Sequence, residues 1–112
     1  MRLLFACTLL AATAACASAP PAPLAVFKYT GSRQCEGGGT PPERMRADLE
    51  AAGIQVLATA CATDGRMRVA MCGAGDGRLV ILEIAPEQAE AAAKLGFEPL
   101  AKLPSAQRAE CR

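Results

Sequence analysis

Residues 54–84 read IQVLATACATDGRMRVAMCGAGDGRLVILEI, and the interpretation of this stretch decides the fold. Ile54–Cys61 and Arg66–Cys72 are strand-like runs joined by Asp64-Gly65, and Asp-Gly between two such runs is a strong short-range hairpin signal. With Asp64 and Gly65 as the turn, Cys61 faces Arg68 and Leu57 faces Cys72. Val56, Ala58, Ala60, Met67, Val69 and Met71 then share a core face. On this reading Met67 and Met71 fill a core rather than offer thioethers to a metal. A second turn, Ala74–Gly77, leads into Leu79–Ile84, which is apolar enough to be covered on both faces. The three runs form an antiparallel meander.

Helical signals flank the meander. Thr40 reads as an N-cap, Pro41 as the first helical residue and Glu43 as the partner completing a capping box. Met45, Leu49 and Ala52 form one stripe of this helix, and Gly53 stops it. Pro86–Leu95 is a second helix whose Ala89, Ala92 and Ala93 allow close approach to a sheet. Ala25–Thr30 has the β-branched and aromatic content of an edge strand, and Phe97–Leu103 reads as a last strand kept at an edge by Pro99. The expected fold is therefore α+β: a small two-layer domain over 25–112, with three central strands, one or two edge strands, and two short helices on one face.

The N-terminus is of a different kind. Met1-Arg2 precedes an apolar run of about ten residues, too short to span a bilayer and matching the core of an export signal. Ala15 and Ala17 offer an A-x-A cleavage site. Thr13-Ala14-Ala15-Cys16 resembles the signal of bacterial lipoproteins, in which small residues precede a cysteine that is lipidated, although Thr13 stands where that pattern prefers Leu. The resemblance covers the first sixteen residues. It implies lipid attachment at Cys16, and Ala17 at the following position implies the outer membrane; ordinary signal cleavage implies a periplasmic or secreted protein. Residues 1–16 are thus the signal, and 17–24, with three prolines, a tether.

Export removes Cys7 and takes Cys16 out of disulfide chemistry, leaving Cys35, Cys61, Cys72 and Cys111. An even number in an oxidising compartment implies two disulfides. In the hairpin register Cys61 and Cys72 are offset by roughly 13 Å, beyond the ~7 Å reach of a disulfide. Two pairings remain: 35–61 with 72–111, or 35–72 with 61–111. No C-x-x-C is present and no close ligand pairs suit zinc, so no metal or cofactor is expected.

The 12 basic residues of the chain stand against 11 acidic ones, and removing Arg2 levels the count. A balanced chain has no footprint for nucleic acid, and contact with a membrane is expected only through the lipid. No His is present, no serine has an activating base, and no catalytic residues are identified. The Cys35-Glu36-Gly37-Gly38-Gly39 run lacks the Gly-Lys-Ser/Thr ending of a phosphate loop.

The function expected from these features is a non-catalytic, monomeric cell-envelope module that binds an envelope protein or cell-wall component through the cysteine-bearing face and Gly37, Gly38 and Gly39. The alternative is a small periplasmic enzyme or anionic-ligand carrier using Arg66 and Arg68, with Arg78 nearby. A concave site lined by Arg66, Arg68 and Glu83 would mark the second; a flat face would mark the first.

Overall fold

The computed structural model describes residues 21–112; the expected export signal and the expected lipidation site at Cys16 lie outside them. Five strands, β1 (Leu24–Tyr29), β2 (Val56–Thr63), β3 (Arg78–Ile84), β4 (Glu98–Pro99) and β5 (Gln107–Ala109), form one sheet. Helices α1 (Pro42–Ala51) and α2 (Ala89–Lys94) complete the elements, α2 following a 3₁₀ turn at Pro86–Gln88. The spatial order is β4-β1-β3-β2-β5, and every neighbouring pair is antiparallel. The chain thus runs β-α-β-β-α-β, with β3 inserted between β1 and β2 and β1 inserted between β3 and β4. This is the split, ferredoxin-like arrangement of two interleaved βαβ units, with β5 added at one edge.

The strand that takes the centre is the one apolar on both faces. Leu79, Val80, Ile81, Leu82 and Ile84 are all buried. Val80, Leu82 and Ile84 pack with Val26, Val56, Met45 and Leu49 of α1, Ala92 of α2 and Phe97. On the reverse face Leu79 and Ile81 meet Phe27, Ala62 and Leu103, the last carried there by a 3₁₀ turn at Leu100–Lys102. Lys28 closes α2 from the sheet: its Nζ donates to the Leu95 carbonyl at 3.0 Å and lies 5.2 Å from the centre of the Phe97 ring.

The two-layer α+β architecture, both helices on one face and two disulfides are as the sequence predicts, but the meander is not. Residues 66–72 form no strand; β2 pairs directly with β3, Cys61 opposite Val80 and Ala62 opposite Leu79. The physical reason is that 66–72 has one apolar face to offer, whereas Leu79–Ile84 has two and takes the position covered on both sides. Asp64 and Gly65 consequently make no hairpin turn. The Asp64 N–H donates to the Gly77 carbonyl at 2.9 Å, and Gly65 sits at φ +67°, where a Cβ would overlap the Ser105 carbonyl.

Smaller differences have similar causes. β1 is interior rather than an edge, because β4 pairs outside it at Val26 and Phe27. Phe97–Leu103 keeps only two strand residues before turning under the sheet, with Pro99 at the edge as expected. The helix N-cap is Pro41 with no side-chain cap bond; the Thr40 N–H is taken by the Thr30 carbonyl at 2.7 Å, so the capping box does not form.

The disulfides are Cys35–Cys72 and Cys61–Cys111, each with Cα atoms 5.1 Å apart. Cys61 opposes Val80, so it lies on the helix face, whereas the hairpin reading, with Ala58 and Ala60 facing the core, puts Cys61 on the face away from the helices. The pairing 61–72 is excluded as predicted, although the register used to exclude it does not exist. Removing either bridge should lower unfolding free energy by roughly 2–4 kcal/mol, with different local effects. C35A/C72A should expose the amides of 65–76 to hydrogen exchange while β2 and β3 stay protected, and C61A/C111A should release β5 instead. Equal deprotection across the chain would show that the bridges do not act locally.

Candidate functional site

Both long loops emerge at the same end of the sheet. Residues 30–41 follow Tyr29, and residues 64–77 lie between Thr63 and Arg78, whereas β1 begins at Leu24, beside Ile84 at the other end. Two polar side chains, Gln34 and Ser32, join these loops, and a third, Asp64, ties the second loop to the end of β1. The Gln34 side chain donates to the Val69 carbonyl at 3.1 Å and accepts from the Met71 N–H at 3.0 Å, and its backbone bonds Ala74 and Gly73. Ser32 Oγ lies 2.8 and 2.7 Å from the two Asp76 carboxylate oxygens, and the Arg78 N–H donates to Oδ1 at 3.0 Å. Asp64, 1% exposed, accepts from the Tyr29 hydroxyl and the Arg66 N–H, both at 3.1 Å, and pairs with the Arg68 guanidinium. The Cys35–Cys72 bridge adds a covalent link.

Burial alone would raise the carboxyl of Asp64, but the Arg66 N–H, Arg68 and Tyr29 outweigh it and hold it below the ordinary aspartate value. Asp76 is held low in the same way, burial being outweighed by Ser32 and by the N–H and guanidinium of Arg78. Tyr29 moves upward, through burial and then through its hydrogen bond to Asp64.

Between these loops and the C-terminal segment lies a cleft of about 700 Å³. Gly37–Gly39 and Thr40–Pro42 form one wall, Cys61–Thr63 and Arg78–Val80 the base, and Ala109, Glu110 and Arg112 the far wall. Only glycine fits at 39, at φ +82°, where a Cβ would come within 2.6 Å of the Thr30 carbonyl oxygen and 2.7 Å of the Ser32 nitrogen. The predicted Gly37, Gly38 and Gly39 therefore line a concave site. Arg66 and Arg68 do not: Arg68 turns inward to Asp64, and the arginines in the cleft are Arg33, Arg78 and Arg112. A concavity exists, but it is not the one expected around Arg66, Arg68 and Glu83.

The second feature of this end is apolar. Met67 is 102% exposed, Val69 80% and Met71 60%. These residues were expected in the core; with Arg68 drawn inward to Asp64 and Gln34 gripping 69 and 71, they stand outward as a ridge. The sequence does distinguish them, as alternate apolar positions, but only the pairing of β2 with β3 shows that nothing among the described residues covers them. Among the described residues no group of three or more His, Cys, Asp or Glu is placed to hold a metal ion, and no helix is long and apolar enough to cross a membrane. Neither a family of known proteins, nor a characterised protein, nor a solved structure matches this chain.

Because the carboxyls of Asp64 and Asp76 titrate lower folded than unfolded, they contribute stability above the ordinary aspartate pKa, and this contribution is lost as pH falls through their folded-state values. Denaturation midpoints of the wild type should fall between about pH 5 and pH 2, and D64N/D76N should flatten that dependence. At neutral pH D64A should lose on the order of 3 kcal/mol, as expected for removing one partner of a buried hydrogen-bonded charge. D48A, which breaks the exposed Arg44–Asp48 pair, should lose about 0.5 kcal/mol or less. Equal losses would refute the anchoring role given to Asp64.

Proposed function

We propose that this protein is a non-catalytic binding module of the bacterial cell envelope, exported, held at the outer membrane by a lipid on Cys16, and engaging an envelope protein through the Met67–Val69–Met71 ridge. The observation that carries this reading is the ridge itself. Three large apolar side chains stand in water on a loop fixed by a disulfide, a glutamine and a buried aspartate, and an exposed apolar patch on a rigid support favours a partner. Methionine suits such a surface, since its flexible thioether adapts to the contour it meets. An apolar row also matches a groove on a protein better than it matches hydrated cell-wall polymer.

Topology supports the orientation. The tether joins at Leu24 and the ridge lies at the opposite end of the sheet, so a lipid on Cys16 leaves the ridge directed away from the anchored bilayer. The disulfides and the export-like leader are compatible with that compartment. Gly37–Gly39 lies across the Cys35–Cys72 bridge from the ridge and forms the second part of the binding end.

The test is site-specific photocrosslinking in cells of the source organism. A photoreactive residue at Val69 should give one discrete adduct that the M67S/M71S background abolishes, with thermal stability changed by no more than about 0.5 kcal/mol, as for surface substitutions. The same probe at Glu87, on the tether side, should give none. Adducts equal at both positions, or none at Val69, would end this reading. Intact mass of the membrane fraction should match the chain from Cys16 plus acyl groups, with four thiols appearing only on reduction; a soluble chain beginning at Ser18 would remove the anchor.

A further inference from the structure

We propose that the cleft beside the ridge is a separate site for a small organic anion, its carboxylate or phosphate held by Arg33 and Arg112 and its apolar part lying against Pro41, Pro42 and Ala109. The volume of about 700 Å³ falls in the range of small-molecule sites. Of the three arginines that line it, one is answered by an ion pair. Arg78 and Asp76 answer each other at 3.6 Å, and Asp76 is further satisfied by Ser32 and a backbone N–H. Arg33 and Arg112 form no ion pair among the described residues, so two guanidinium groups line the cleft beside Glu110 without an ion-pair partner. Guanidinium forks match carboxylate and phosphate oxygens in a bidentate way and stay charged at any working pH.

The start of α1 does not supply the attraction, although it borders the cleft. Pro41 and Pro42 have no N–H to donate, so the helix end offers an apolar surface where most helices offer donors. An anionic head held by arginines and an apolar body on prolines therefore describes the ligand class. The glycines of the same wall carry no side chains to obstruct it.

The probes are octanoate, inorganic phosphate and uncharged 1-octanol, added to the oxidised domain while amide NMR shifts are followed. Octanoate should shift the Gly37–Gly39 amides saturably, and R33Q/R112Q should weaken that response by roughly tenfold or more, as expected for lost charged hydrogen bonds. R108Q, on β5 outside the cleft, should leave it unchanged; retained shift dispersion in each variant would exclude unfolding. Saturation by phosphate with the same arginine dependence would support the site and identify the headgroup as sufficient. Equal shifts with octanol, an octanoate response indifferent to R33Q/R112Q, or no saturable response to either anion would overturn it.

Discussion

The structure depends on one constraint: β3 is apolar on both faces and must be covered on both. A strand of this kind is stable only inside a sheet with a layer above and a layer below. Covering one face requires both helices, and covering the other requires the Leu100–Ala106 segment to pass beneath. Occupying both edges of β3 requires β1 and β2, which run parallel to each other and so are joined by a crossover, the one that contains α1. The interleaved β-α-β-β-α-β order is the consequence of placing Leu79–Ile84 at the centre.

That choice creates the loop from Asp64 to Gly77. If β2 pairs directly with β3, the chain between them cannot be a two-residue turn and must satisfy its backbone groups elsewhere. Gln34, Asp64 and Asp76 meet this need, Gln34 bonding backbone groups alone and the two aspartates both backbone and side-chain groups, and Cys35–Cys72 limits what the loop gains by opening. Polar groups therefore face inward toward the first loop. The side chains left to face water are Met67, Val69 and Met71, an inversion of the ordinary arrangement.

Much of the fold was legible in the sequence because it rests on local periodicity. α1, α2, β1, β2 and β3 are all found close to where apolar spacing and proline or glycine signals place them, and cysteine parity anticipates two bridges. What misled was Asp64-Gly65. Its local chemistry is that of a hairpin, yet the pairing of strands is set by competition for the centre of the sheet, a comparison between 66–72 and 79–84 that no short window contains. The site follows the same division. Gly37–Gly39 could be singled out because its composition is local, whereas Arg33, Arg78 and Arg112 are brought to one cleft only by the β5 pairing and the 61–111 bridge. Arg66 and Arg68 were adjacent to the wrong turn.

The polar cleft and the apolar ridge share their supports, and this constrains how they act. Arg33 opens the turn that carries Cys35, Gln34 grips the ridge from the same turn, and Ser32 holds Asp76, which holds Arg78 at the base of the cleft. Residues joined through one hydrogen-bond network couple energetically rather than add. An occupant of the cleft held by Arg33 would touch the same turn from which Gln34 reaches Val69 and Met71, so the two features would couple through that turn. The physical route between them is short, running through three successive residues, Ser32, Arg33 and Gln34, and one disulfide. It lies entirely at the end of the sheet remote from Leu24.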